Sequence, residues 1–341
     1  MKPASGYAHG SKATPQIAIA ALNSAMTRGE MTQAGSVFLF LSTHFQQNID
    51  ECLNAVMQHC GSIDVIGASA AGVFTEQDWS LDSPAAAALV LPPNHPRPQS
   101  SQSHLVLAAP NAINQFWLND GSTKFGGIAG DATGKGQYAL WQAGQQRVSF
   151  TQTPLSARAL IVSDGIKILS PDYTITASSN LHLTTLDHCA ALDTLTPYLQ
   201  QYQQESLLAR ISNEKQTVWV PLIACDAKHG SVMLAHELPL GATLNWGYFD
   251  TQAASKELSE QIAQATGGQA QPGWGLVFSS HRRVMAGNGI SEPDWEAIRK
   301  ALPDMPFAGF YGNGQIIPPT DTRIDKHNRI ADNSVLLALF D

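Results

Sequence analysis

Two histidines stand where an apolar run ends. His44 follows Val37-Phe38-Leu39-Phe40-Leu41-Ser42-Thr43, and His281 follows Leu276-Val277-Phe278-Ser279-Ser280. Neutral imidazole is the commonest protein metal ligand and the usual proximal ligand of haem iron. His44 is therefore a candidate haem-iron ligand and His281 a candidate ligand contact. Arg283 carries the planar fork that pairs with a carboxylate or propionate. Two glycine-bounded stretches, Gly67-Ala68-Ser69-Ala70-Ala71-Gly72 and Gly309-Phe310-Tyr311-Gly312-Asn313-Gly314, read as loops. Their small residues would let backbone N–H groups approach an anionic ligand, with Tyr311 and Asn313 adding a hydroxyl and an amide to orient it. The plainer readings are a histidine held by a loop carbonyl and glycines required only by tight turns.

Catalytic signatures mostly fail. Gly67-Ala68-Ser69-Ala70-Ala71 lacks the closing glycine of a nucleophile elbow. Ala129 stands where a P-loop ending at Lys135 needs its first glycine, and Gly136 replaces the Ser or Thr after that lysine. His236-Glu237 has no second histidine at zincin spacing. What remains for an enzyme is Ser69 as a hydrolase nucleophile, or Cys225 and His229, with Asp226, around a metal. The expectation is that the chain is not an enzyme.

The elements that must position these residues are α/β in pattern. Thr14-Pro15 opens a helix closing at Gly29, and residues 36–41 form a short buried strand. Apolar residues at helical spacing run from about 45 to 59, a second strand covers 63–67, and a third 86–91. Residues 105–183 read as antiparallel strands and hairpins, and 192–209 as a helix connecting two domains. Strands follow at 219–225, 231–236 and 242–249. A helix at 251–265, a strand at 275–279, a helix entered through Ser291-Glu292-Pro293-Asp294, and strands at 306–310 and 334–340 complete the chain. The two ends resemble each other: Phe40-Leu41-Ser42-Thr43-His44 parallels Val277-Phe278-Ser279-Ser280-His281, and Gly67 and Gly72 are spaced like Gly309 and Gly314. The expected fold is α/β, with two α/β units related by an internal pseudo-repeat and mixed sheets covered by helices.

Composition bounds the function. Of 341 residues, 43% are hydrophobic and 14% charged, with 20 Lys plus Arg against 28 Asp plus Glu and a formal net charge of −8. That hydrophobicity excludes a disordered chain, and the acidic balance argues against nucleic acid as partner. No run approaches the roughly 18 apolar residues of a membrane span, and residues 1–12 have no apolar core of a secretory signal. The expected localisation is cytoplasmic. Cys52, Cys60, Cys189 and Cys225 form no C-x-x-C pair and are expected to be buried, inert thiols.

Taken in order, the motifs resemble the FIST family of bacterial sensory proteins over essentially the whole chain. The resemblance rests on Val65-Ile66-Gly67-Ala68-Ser69-Ala70-Ala71-Gly72 and Phe125-Gly126-Gly127-Ile128-Ala129-Gly130-Asp131 in the N-terminal part. In the C-terminal part it rests on Leu276-Val277-Phe278-Ser279, on Ala308 through Ile316, and on Asn333-Ser334-Val335-Leu336-Leu337. Val73 and Gln315 stand where the family usually has an acid after each glycine stretch. Ser280-His281-Arg282-Arg283-Val284 replaces a Cys-x-Gly-Arg-Gly motif, retaining Arg283 alone. The resemblance implies an N-terminal FIST domain over 1–190 and a C-terminal one over 191–341. It implies a stand-alone sensory protein for a small-molecule ligand, with haem and nitric oxide as the sharpest version and a small polar metabolite such as an amino acid as the alternative. The implied partners are a separate histidine kinase of a two-component system or a cyclic-di-GMP enzyme. The candidate ligand-binding residues are Gly67, Ser69, Gly72, Gly127, Asp131, His281, Arg283, Tyr311, Asn313 and Gln315.

Overall fold

The computed structural model describes residues 1–95, 102–131, 138–142, 145–146, 148–202, 207–213, 217–268, 270–286, 291–319 and 327–341. It divides into two compact units, Met1–Ser163 with Ser255–Asp341, and Asp164–Ala254.

The larger unit holds three mixed sheets. In the first, Ser36–Ser42 runs parallel to Val65–Ala70, flanked by antiparallel Ala85–Leu91 on one side and Leu140–Gln142 on the other. In the second, Trp274–Ser280 runs parallel to Phe307–Gly312, flanked by Val335–Phe340 and Gly72–Thr75. In the third, Ser103–Ala108 runs parallel to Thr123–Ile128, flanked by Phe150–Pro154 and Gly314–Ile317. Each sheet thus borrows a strand from the chain that has just left another. Val65–Ala70 leads into Gly72–Thr75 of the second sheet, and Phe307–Gly312 into Gly314–Ile317 of the third. Beyond Thr123–Ile128, Leu140–Gln142 joins the first.

The crossings are tied by three backbone hydrogen bonds in a cycle. Ala71 N–H donates to Tyr311 O at 3.1 Å, Asn313 N–H to Ile128 O at 2.9 Å, and Gly130 N–H to Ser69 O at 3.2 Å. Three glycines stand four residues before these donors. A Cβ on Gly67, Gly309 or Gly126 would lie 1.7, 1.9 or 1.9 Å from the carbonyl oxygen of Leu39, Val277 or Val106 on the adjacent strand. No side chain fits there, so glycine at these positions is a packing requirement.

The inner faces of the three sheets share one core, with Phe38, Phe40 and Ile66 from the first, Leu276, Phe278 and Phe310 from the second, and Leu105, Leu107 and Phe125 from the third. Phe310 lies 5.2 Å from both Phe40 and Phe278 between ring centroids. Gly127 leaves the space that these rings use, since a Cβ there would meet Phe310 at 2.5 Å and Phe278 at 2.9 Å. The outer faces are covered separately. Pro15–Arg28 and Ile49–Cys60 pack on the first sheet, Thr251–Thr266 and Pro293–Ala301 on the second, and Leu118 of the short Gln115–Leu118 helix on the third.

The smaller unit is a closed six-strand antiparallel ring. Its order is Thr243–Phe249, Tyr173–Ser179, His182–Leu186, Ser231–Leu234, Thr217–Asp226 and Leu207–Ser212, the last pairing back to the first. Ile175, Leu183, Val220, Val232, Leu244 and Trp246 fill it, with Leu195 of the helix Ala191–Leu199 in the same cluster. Closure leaves no free edge within the ring.

Several expectations need correction. The molecule is not two halves with one sheet each, because the parallel pairs of both chain ends lie in one unit together with a third sheet from the middle of the chain. That middle segment is not wholly antiparallel, since Ser103–Ala108 and Thr123–Ile128 are parallel. The expected helix over 192–209 stops at Leu199, and Leu207–Ser212 is a strand, because β-branched and leucine residues there pair in the ring. The two glycine stretches are not loops. Each is a buried strand ending, one connecting residue, and the start of a strand in the next sheet. Of the residues in the P-loop comparison, 132–137 lie outside those described. Among the described residues, no helix is long and apolar enough to cross a membrane.

Candidate functional site

A cluster of buried polar side chains lies on the outer face of the second sheet, at the carboxyl end of its parallel pair. In α/β sheets ligands gather outside strand carboxyl ends. Arg283 sits in the helix His281–Ala286 that follows Trp274–Ser280, and it is 3% exposed. Its guanidinium grips Asp294 with both arms, Nε to Oδ2 at 2.6 Å and Nη2 to Oδ1 at 2.8 Å. Nη1 donates to Ser163 O at 3.3 Å and Asn333 O at 3.0 Å. This buried fork joins two helices and two chain segments.

Glu292 caps the helix Pro293–Ala301, its carboxyl accepting from Trp295 N–H. Trp295 in turn donates Nε1–H to Thr75 O at 2.7 Å, which fixes the helix against the sheet. Glu292 is 2% exposed. Burial first, and then the neighbouring Asp294, push its carboxyl up to about 8, against the opposing pull of the Trp295 N–H and Arg283. A carboxyl that keeps its proton at neutral pH is the property of functional sites more often than of scaffolds.

Tyr311 completes the group. Its ring lies tilted 4.6 Å from Phe74 and meets Trp79 edge-on at 6.4 Å. Its hydroxyl is buried and has no hydrogen-bond partner, and the same holds for the Ser279 hydroxyl. Ser279 and Tyr311 are register partners on adjacent parallel strands, so their side chains share one face. Burial, then the nearby Glu292 and Asp294, hold the Tyr311 phenol well above its ordinary range.

The corresponding places in the other two sheets are apolar or internally satisfied. Counting from the three clashing glycines and their pairing partners, Ser279, Tyr311 and Arg283 correspond to Leu41, Ser69 and Phe45 in the first sheet. Ala108 and Ile128 stand at the first two places in the third. Leu41 and Phe45 are fully buried core, and Ser69 Oγ accepts from Ala139 N–H at 2.8 Å. The architecture therefore does not demand a polar cluster; the second sheet has one for its own reasons.

The remaining expected residues fall into place around this group or away from it. Gly67, Gly72 and Gly127 are packed strand positions; a Cβ on Gly72 would lie 2.2 Å from Ser80 O. Asn313 Nδ2 reaches Ala129 O at 3.4 Å, at the crossing between the second and third sheets. Asp131 is half-buried just beyond the same crossing. Gln315 is buried, its Oε1 accepting from Ser334 at 2.6 Å while its Nε2 has no partner. His281 holds Gly312 O through Nδ1 at 3.2 Å, the carbonyl-anchored reading. His44 is exposed on the single turn Thr43–Phe45. Ser69 is buried, its oxygen accepting from Ala139 N–H. His229 pairs with Asp226 at 2.7 Å on the surface, and no group of three metal-ligating side chains occurs among the described residues. Cys52 and Cys60 are buried as expected, whereas Cys189 is exposed and Cys225 half-exposed: the short Cys189–Ala190 strand lies outside the ring and pairs only with His182–Leu186.

Glu292, Asp294 and Ser279 were not singled out as site residues by sequence reasoning. The signal was there in part, as two acids flanking Pro293 at a helix start, but it reads equally as a capping motif.

The FIST N domain matches residues 36–189 and the FIST C domain residues 189–318. Among curated relatives, the Mycobacterium tuberculosis proteins named uncharacterized protein MT0656 (strain CDC 1551 / Oshkosh) and uncharacterized protein Rv0628c (strain ATCC 25618 / H37Rv) are each 24% identical over 240 residues, covering 64% of this chain and 61% of the relative. The chain thus spans about three fifths of the length of the relatives it matches. With the two domain matches joined at residue 189 and together covering most of the sequence, the chain belongs to the FIST family.

Proposed function

We propose that the protein is a sensory module that binds a small ligand at the Arg283–Asp294–Glu292–Tyr311 cluster and passes the bound state to a separate signalling partner. It carries out no catalytic step in this reading. The observation that supports it is the pair of buried, unpartnered hydroxyls of Tyr311 and Ser279 beside a carboxyl held near neutrality. Buried polar groups are almost always satisfied, and a bound molecule supplies the missing partners. A ligand shifts a protein only by binding one of its conformations better than another. Here the fork of Arg283 and the Trp295–Thr75 bond hold the Pro293–Ala301 helix, so a ligand competing for Glu292 acts directly on that helix. The partner class is a histidine kinase or a cyclic-di-GMP enzyme, carried by family membership alone, and the localisation that goes with it is cytoplasmic.

The haem form of this reading needs an enclosed imidazole. His44 is exposed and His281 reaches Gly312 O through Nδ1 alone, which leaves its Nε2 available; we place the ligand at the polar cluster, where the unpartnered groups are. The visible spectrum of the purified protein checks this: a Soret band abolished by His44→Ala would favour haem. The sensory reading itself is tested by thermal unfolding against a library of polar metabolites. Failure of every small molecule to stabilise the chain would remove it. Hydrolase or metal-dependent activity through Ser69 or Cys225/His229 is the competing class, and Ser69→Ala abolishing a measured hydrolysis would establish it instead.

A further inference from the structure

Resting on the reading that this cluster receives a small ligand, we propose that Tyr311, Ser279 and Glu292 form a subsite for a primary ammonium group. The two hydroxyls are on adjacent strands in register, on one face, fully buried and unpartnered. Each has acceptor lone pairs to offer. The surroundings of the Tyr311 phenol are acidic: Glu292 and Asp294 act on it, together with Asp78 and the second phenol of Tyr7.

An anion is disfavoured there. Among the described residues the cation that grips this group is Arg283, and it has spent its fork on Asp294 and its remaining arm on the Ser163 and Asn333 carbonyls. The two hydroxyls and the Glu292 carboxyl each offer an oxygen lone pair, and a cation bearing several N–H bonds matches them. An ammonium group has three such bonds in a tetrahedral spread, one each for Tyr311 Oη, Ser279 Oγ and the Glu292 carboxylate. A bare monovalent metal ion would gain the charge but not the directed bonds.

Binding of this cation is coupled to a proton. Glu292 faces Arg283 from the helix after Trp274–Ser280, Asp294 and Glu296 from its own helix, and Tyr311 from the sheet. An ammonium charge beside it favours the ionised carboxylate, so the carboxyl proton leaves to solvent as the cation enters. Affinity therefore rises with pH until Glu292 is ionised in the free protein.

The test uses the whole chain and methylammonium chloride as the head group alone, with tetramethylammonium chloride and potassium chloride at equal ionic strength as controls. Methylammonium is expected to raise the unfolding temperature where the other salts do not, more strongly at about pH 8 than at about pH 6. Tyr311→Phe removes only an unpartnered hydroxyl and keeps the ring contact with Phe74, so it should fold; it is expected to weaken methylammonium binding about 10-fold or more. Should that variant fail to fold, Ser279→Ala carries the same comparison, and Glu292→Gln is expected to abolish the pH dependence. Equal stabilisation by tetramethylammonium or potassium, no stabilisation by methylammonium, or unchanged binding in both hydroxyl variants overturns the ammonium subsite. A non-amine metabolite that stabilises wild type and Tyr311→Phe alike overturns it while leaving the sensory reading in place; a chain that no small molecule stabilises overturns both.

Discussion

Replacing Glu292 with glutamine isolates the unusual carboxyl without emptying its space. The amide oxygen of Gln can still accept from Trp295 N–H, but the side chain no longer titrates. In the folded protein the Glu292 carboxyl is pushed from its ordinary 4.5 up to about 8. Below about pH 4.5 both folded and unfolded chains hold the proton and the group is neutral to stability. Between about pH 4.5 and about 8 the unfolded chain ionises while the folded one keeps its proton, so stability falls as pH rises; above about 8 the cost is constant. Each pH unit of that window is worth about 1.4 kcal/mol, so the full cost has a ceiling of about 5 kcal/mol. Urea unfolding of wild type and Glu292→Gln, measured across the range from about pH 4 to about pH 9, should give curves that diverge steadily, the variant gaining a few kcal/mol relative to wild type by pH 8. Parallel curves across that window would refute the argument that burial holds this proton.

Three further outcomes follow from the same packing. Arg283→Met leaves Asp294 buried without its partner and should cost about 3–5 kcal/mol, and Arg283→Lys should recover little because one ammonium cannot span both carboxyl oxygens and two carbonyls; a melting curve within a degree or two of wild type for either variant would contradict this. Gly309→Ala drives a methyl into Val277 O at 1.9 Å and into the Phe74 ring at 2.7 Å, a clash that should cost more than about 3 kcal/mol and reduce soluble yield. In native protein a thiol reagent should modify Cys189 quickly. Cys52, whose thiol burial raises to about 12, and Cys60, also raised by burial, should react only after unfolding; mass spectrometry of the labelled peptides reads the order.

The local elements were legible because each carries its own pattern. Pro15 after Thr14 set the start of the first helix, and apolar spacing in Ile49–Cys60 set the second. The continuous apolar runs at Ser36–Ser42, Trp274–Ser280 and Val335–Phe340 could only be buried strands. The glycine stretches were misread for a physical reason. Glycine serves a turn, but it serves equally where a neighbouring backbone leaves no room for Cβ, and only the Leu39, Val277 and Val106 carbonyls tell the two apart.

By itself the sequence determined that this chain has a large apolar interior, helices and strands in alternation, a retained Arg283, and the ordered motifs of its family. Tertiary structure decided what those motifs do. Strand exchange among three sheets is a long-range pairing that no local pattern encodes, since Gly72 meets Tyr311 and Gly314 meets Ile128 only when distant segments come together. The polar cluster arises the same way. Ser279, Arg283, Glu292 and Tyr311 are ordinary residues along the chain. Burial on one sheet face is what leaves two hydroxyls without partners, commits the arginine, and raises the carboxyl into the physiological range. Among the described residues three of the buried charged side chains, Arg283, Glu292 and Asp294, stand together in this cluster, where the fold takes water away from them.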